Sequence, residues 1–494
     1  MKNNISKQTI FTFTELGANL DSNHIIFTVE KLVNDFMERF EYLFHYSQTT
    51  GRPKEYKTSE LLGFYIIASI RGVTSCRKMA DLLKNNDESL NYILNNKKPS
   101  KSTISNFKNE NELLISEFFY YLVNIGIELD LIGKEIIGID GTFIGANAST
   151  GNCASRKELK FLHKTLKNIS KNQIDELKKY FKDPKKENIT KYITKLLKKL
   201  NIPSLKLLKS AIKSKKKIKS TLKFLKEIKS FHSSDTDYKI SLNDPEARYM
   251  PDKKGVNGYN YNLQVATDDK YNFIIYMGLN NARNDKKELI NMMESSIMSL
   301  GSKPKFFVAD NGYYEDRALH YCLSHEINLI IPDQTEAQRT NDRISAKVFP
   351  KRDFTHDRIN DFFMCPLGNI LTYQSKRKMN GKIWNVYSTD DCFYCDLKDF
   401  CTPKKRREIL EIIDSGKQYL KDVYYSDKGQ EIYKKRGPVT ESRFALLKYV
   451  RNFPGLKRKG SKKSRIDLLI EGISNNIQII HKYGDLSKIG IKIE

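Results

Sequence analysis

The stretch IIGIDGTFIGANAS, Ile136 to Ser149, reads as a buried strand that ends by presenting one carboxylate, Asp140. Ile136, Ile137 and Ile139 are β-branched, as pleated and buried positions prefer. Gly138, Gly141 and Gly145 interrupt the apolar run, which suits a bend or the close approach of another backbone. An Asp before Gly-Thr at a strand end can hold a metal ion, or it can simply initiate a turn. The stretch alone leaves both readings open, and the rest of the chain has to decide.

At 494 residues the chain exceeds the usual length of one domain. Lys and Arg total 85 against 59 Asp and Glu, a formal charge of +26. Such an excess favours a polyanionic partner, because each cation placed on a phosphate releases condensed counterions. Charge alone does not separate DNA, RNA and an anionic membrane. No run of about 18 apolar residues exists, so no membrane span is expected. The start, MKNNISKQTIFTFTEL, has no signal-peptide pattern. The expected compartment is a reducing cytoplasm, where the 7 cysteines read as thiols or metal ligands.

N-terminal to the strand, residues 1 to about 130 read as helical. HIIFTVEKLVNDFMERFEYLF has helical apolar spacing, and GRPKEYKTSELLGFYIIASIRGV offers a helix start near Thr58 and Glu60. Ser102 or Thr103 is placed to cap a further helix. Short helices with basic residues near their starts fit a helix-turn-helix-like DNA-binding module, and equally an ordinary bundle. C-terminal to the strand, residues 156–235 are Lys-rich amphipathic helix patterns, read as an inserted hairpin or arm.

Strand patterns then return. Asn257–Asp268 and Tyr271–Asn280 read as a hairpin, Lys286–Gly301 as a helix, Lys305–Tyr314 as a second strand carrying an Asp, and Ile327–Asp333 as a short strand. This order predicts a mixed α/β sheet with helices on its faces. Residues 336–410 interrupt it and contain Cys365, Cys392, Cys395 and Cys401. A C-x2-C step beside two more cysteines matches a structural zinc site of four thiolates, the favoured reading; a group of reduced, half-buried thiols is the other. Residues 411–494 close the chain, with Glu441, Phe444 and Lys448 on one helix face.

Two strands thus end in an Asp, Asp140 and Asp310, and a late helix carries Glu441. Three converging carboxylates can hold two divalent ions about 4 Å apart for phosphoryl transfer. Carboxylates suit this because Mg2+ prefers hard oxygen ligands.

The chain resembles the DDE transposases of bacterial insertion sequences. IDGTFIGANAS resembles the motif of their first Asp, VADNGYYED that of the second, and YKKRGPVTESRFALLKYVRNF the region of the final Glu. GRPKEY, GVTSCRKMADLL and STISNFKNEN resemble their N-terminal domain; CPLG with DCFYCDLKDFCT resembles a cysteine-bearing insertion found in one group of them. The resemblance implies a ribonuclease H-like core in three parts (131–155, 236–335 and 411–494), with an all-α N-terminal domain, the Lys-rich insertion and the cysteine-rich one. It implies Asp140, Asp310 and Glu441 as catalytic residues holding Mg2+ or Mn2+. Tyr433, Arg436 and Lys448 are implied as DNA contacts, and Arg52 and Lys54 are expected to contact DNA from the basic lead-in. Four residues separate Arg436 from Glu441, one more than the family pattern has. The implied partners are transposon ends and target DNA, bound by a homodimer associated with a bacterial nucleoid. His232, Glu246, Asp268 and Asp285 are further polar neighbours with no assigned role. The competing readings are another ribonuclease H-like nuclease and a transposase-derived DNA-binding protein that no longer uses its carboxylates.

Overall fold

The computed structural model describes residues 17–40, 55–85, 87–150, 153–156, 159–160, 163, 220–227, 240–251, 255–332, 349, 351–357, 360–379, 382–412, 415–439 and 455–491. Most of the Lys-rich segment, the residues around Arg52 and Lys54, and residues 440–454 with Glu441 and Lys448 lie outside them.

Among the described residues six α-helices come first: α1 Ile25–Arg39, α2 Thr58–Ile70, α3 Cys76–Leu82, α4 Glu88–Ile93, α5 Lys101–Glu110 and α6 Glu112–Glu128. The start of α2 falls where Thr58 and Glu60 place it, the Glu60 carboxylate accepting the Lys57 N–H at 3.0 Å. The cap of α5 is Ser100, not Ser102 or Thr103. Ser100 is the last extended residue, and its hydroxyl accepts the Thr103 N–H at 3.2 Å.

The main sheet is mixed. β1 (Ile136–Gly145) pairs antiparallel with β5 (Asn257–Asp268), which also carries β4 (Arg248–Pro251) and β6 (Ile274–Asn280) on its other edge. On its opposite side β1 runs parallel to β7 (Phe306–Ala309), and β7 runs parallel to β8 (Leu329–Ile330). Two short strands, β2 (Cys153–Ala154) and β3 (Ile240–Ser241), pair beside it. The connection from β6 to β7 is α7 (Leu289–Leu300), closed by Gly301 at φ +66°, a left-handed position that glycine adopts without penalty. The connection from β7 to β8 is α8 (Asp316–Ser324). The sheet is therefore the mixed α/β arrangement that the element order predicts.

The strands are shorter than the apolar runs suggest. β6 starts at Ile274 because Asn272, at φ +58°, turns the chain and the Phe273 carbonyl accepts the Asp268 N–H at 2.9 Å. β7 stops at Ala309 because the Asp310 side chain takes the Gly312 N–H and starts a 3-10 turn, Asn311–Tyr313.

Residues 349–412 build a separate antiparallel sheet, ordered β13-β12-β11-β10-β9. The strands are β9 Thr355–Asp357, β10 Phe362–Met364, β11 Ile370–Met379, β12 Lys382–Ser388 and β13 Ile409–Ile412. Then α9 (Ser415–Tyr425) and α10 (Asp427–Lys434) return to the main sheet, where Tyr424 and Ile432 cover Ile136, Val308 and Ile330.

The last long helix, α11 (Ser461–Tyr483), is buried along most of its length. It touches α1, α2, α6 and β6, so one continuous core joins the N-terminal helices to the sheet. Asn476 docks it. Its carboxamide oxygen accepts the Ile274 N–H and its amide donates to the Ile274 carbonyl, both at 2.9 Å, where β6 has no further strand beside it. The Lys108–Asp467 ion pair, at 2.7 Å and nearly buried, ties α5 to the same helix. Among the described residues no helix is long and apolar enough to cross a membrane.

Asn476→Ala would orphan both backbone groups of Ile274 inside the core. Each such group costs about 1–3 kcal/mol, so chemical denaturation should show a loss of roughly 2–5 kcal/mol. A loss below about 1 kcal/mol would mean that the bidentate dock is not what holds α11 on β6.

Candidate active site at the ends of β1 and β7

Parallel pairing of β1 with β7 ends at Ile139 opposite Ala309. The next residue on each chain segment is the predicted aspartate, so Asp140 and Asp310 stand side by side. β1 does not end at Asp140 as its sequence suggests but continues, paired with β5, to Gly145, while Asp310 lies just past the end of β7. Asp140 is 4 % exposed and its Oδ1 accepts the Gly141 N–H at 2.8 Å. Asp310 is half-buried, and its Oδ1 accepts the Gly312 N–H at 2.9 Å. Residues opposite one another on paired strands share a face and neighbours alternate. Asp140 lies opposite Val265 and shares its face with Ile136, the face that α9 and α10 cover. That segment continues past Arg436 to Val439, which is buried two residues before Glu441. The chain re-enters the described region at Gly455, and Leu456 donates its N–H to the Gly145 carbonyl at the end of β1, 2.9 Å away. Tyr433 and Arg436 are half-buried together, the guanidinium 5.8 Å from the ring centre.

In the second sheet Cys365, Cys392, Cys395 and Cys401 are free thiols and line one cavity with Phe354, Leu371 and Leu397. The Asn369 N–H points at the Cys365 sulfur, 3.3 Å away. Burial pushes the Cys401 thiol up, and charge on the other three pushes the same way, against Arg407. The four share a cavity but not a coordination sphere: among the described residues no group of three or more His, Cys, Asp or Glu is arranged to hold a metal ion.

Two family models match the chain. One, a transposase domain (DUF772), covers residues 14–110; the other, a transposase DDE domain, covers residues 364–481. Together the two matches support a DDE transposase of an insertion sequence. The second match contains Tyr433, Arg436, Glu441, Lys448 and the four clustered cysteines, while Asp140 and Asp310 precede it. No curated protein matches.

The extra polar residues of the transposase separate once the fold is known. His232 lies outside the described residues. Glu246 caps α11, its Oε2 accepting the Ser461 N–H at 2.9 Å. Asp268 caps the loop before β1, accepting the N–H groups of Gly133, Lys134 and Lys270 at 3.0–3.2 Å; burial nevertheless raises its pKa. Only Asp285 joins the site. Its Oδ1 accepts the amides of Asn262 and Gln264, both at 2.6 Å, and Gln264 in turn accepts the Tyr313 hydroxyl at 2.5 Å. Sequence reasoning passed over Asn262, Gln264 and Tyr313, although polar Asn262 and Gln264 two apart on one strand face was a readable signal. Burial, then the negative charge of Asp285, Asp140 and Asp310, keeps the Tyr313 phenol protonated.

Gly141 is required here for space. A Cβ on it would lie 2.6 Å from Gln264 Nε2 and 2.7 Å from Asp285 Oδ1. Gly141→Ala must therefore push apart the Gln264–Asp285 contact or the strand that carries Asp140. DNA cleavage by this variant should fall on the order of a hundredfold, since about 1 Å of misplacement costs that much, while DNA affinity stays native in a filter-binding or anisotropy assay.

Proposed function

We propose that this transposase binds the terminal inverted repeats of its element, cuts at the element ends and joins the freed 3′-hydroxyls to target DNA. The observation that supports this reading is the juxtaposition of Asp140, within β1, with Asp310, just past the end of the parallel strand β7. Glu441 completes the set, on a segment that leaves the described region on the covered face of the sheet and returns to it at Gly145. The mixed sheet with helices on it supports a ribonuclease H-like core.

The donor set fits a hard divalent ion, Mg2+ or Mn2+, because it is made of carboxylate oxygens. Such an ion, when bound, polarises the scissile phosphate and lowers the pKa of the attacking hydroxyl. The protein's own part is positioning and charge placement. Asp140 is held by its neighbour's N–H and Asp310 by the turn it starts, so neither has to search for its orientation. Arg436, Tyr433, Lys448, Arg52 and Lys54 serve the DNA backbone, whose contacts set register rather than sequence. Synapsis of two ends calls for a dimer on DNA. The alternative, a binding protein that no longer cuts, leaves the juxtaposed aspartates without a use.

With DNA carrying the element's ends and Mg2+ or Mn2+, the native protein should cleave. Asp140→Ala, Asp310→Ala and Glu441→Ala should each bind that DNA normally and lose cleavage by at least about a hundredfold. Three variants that cut like the native protein would overturn the assignment.

Among the described residues the cysteine-bearing sheet gathers one small cluster of five buried apolar residues, Phe354, Phe363, Leu371, Tyr387 and Ile409. So small a core calls for a further staple; the four thiols line one cavity, and zinc would have to draw them into a single coordination sphere. Elemental analysis should find about one zinc per chain. Cys392→Ser with Cys395→Ser should remove it and lower the melting temperature. A zinc-free native protein with unchanged melting in chelator would leave the thiols as packing groups.

A further inference from the structure

We infer that Asp285 is a positioning residue for the two catalytic aspartates, acting from the rear of the sheet through Gln264 and Tyr313. This rests on the assignment of Asp140 and Asp310 as ion ligands. Three observations place it. Gln264 lies opposite Gly141 and Asn262 opposite Phe143, so their side chains share the face that Asp140 does not use. Asp285 reaches that face from the turn before α7 and receives both amides on one oxygen, Oδ1. Gln264, its amide nitrogen thus fixed, can turn only its Oε1 toward the Tyr313 hydroxyl, which closes the 3-10 turn begun by Asp310.

The network therefore clasps both ligand-bearing segments at once. At one end it packs on Gly141, the residue after Asp140. At the other it holds Tyr313, three residues after Asp310, and a Cβ on Gly312 would lie 2.9 Å from Asp310 Oδ1 and 3.7 Å from Asp285 Oδ2. Asn262, Gln264 and Tyr313 are at most 1 % exposed, and Asp285 meets them from a half-buried position. Asn262 commits its N–H to Asp285 even though its own Oδ1 has no partner among the described residues. The geometry also argues against Asp285 as an ion ligand. Its Oδ1 is already engaged by two amides, and the Gln264 that holds it lies on the face opposite Asp140.

The distinction can be measured without turnover. Mn2+ binding to the full chain, followed by calorimetry or electron paramagnetic resonance, should be lost in Asp140→Ala. Asp285→Ala and Tyr313→Phe should each weaken Mn2+ affinity by roughly tenfold or more, as loss of groups that orient metal ligands does. Asp285→Asn should rescue most of that loss, because its carboxamide oxygen can still accept both amides. If Asp285→Asn binds Mn2+ as poorly as Asp285→Ala, the charge matters and Asp285 is a ligand, which overturns the inference. Native affinity in Asp285→Ala or Tyr313→Phe, in a protein that melts cooperatively, overturns it too and leaves the network merely structural. A native protein that binds no Mn2+, or an Asp140→Ala variant that binds it normally, refutes instead the ion-ligand assignment on which the inference stands.

Discussion

Strand β1 is paired on both sides and in opposite senses, and the rest of the core follows from that. Its antiparallel side needs only a tight hairpin between β5 and β6 beyond it. Its parallel side cannot be closed by a turn, so the chain must travel through α7 before β7 can lie along β1. β7 runs in the same sense as β1 and ends level with Ile139, although β1 itself continues to Gly145. That is why two aspartates 170 positions apart in sequence come out beside one another, and why loops of such different length can be inserted between them without moving either.

A pair of buried or half-buried carboxylates is costly to hold in place, and the support comes from two directions. From behind, the Asn262, Gln264 and Asp285 network stiffens both Asp-bearing segments. From farther off, α11 fixes the edge of the sheet. It is buried along most of its length past its first turn, and there Asn476 serves the two open backbone groups of Ile274. Because α11 also packs on α1, α2 and α6, the N-terminal helices and the catalytic sheet share one hydrophobic core.

Much of this was legible in the sequence, and the failures have physical causes. Alternating and β-branched runs located β1, β5, β6 and β7, since burial of both faces writes a strong pattern. The strand ends were overrun wherever a side chain rather than the apolar pattern decided them, as Asp310 does when it captures the Gly312 N–H. The cap of α5 fell at Ser100 because three hydroxyl residues follow one another closely, and only the backbone conformation tells which is outside the helix. The five-stranded arrangement of the cysteine-bearing segment was not read at all. Its strands are mostly exposed, with β11 buried at Leu371 alone, so hydrophobic periodicity is weak there.

The sorting of the acidic residues follows the same logic. A shifted carboxyl is often taken to mark function. Here the carboxyls that burial raises include Asp244 and Asp268, and both are structural: Asp244 accepts the Tyr261 hydroxyl and the Gly460 N–H, and Asp268 caps a loop with three backbone donors. Each is deep in the protein and met by donors that fix it to one place. Asp285 differs in what its partners do next. Its two amides lead, through Gln264, to the hydroxyl that holds the turn after Asp310, so the carboxylate acts on a group whose position matters for chemistry. In this chain the path of hydrogen bonds from a carboxylate to the ends of β1 and β7, rather than the depth of its burial, separates the residues that shape the site from those that only hold the fold.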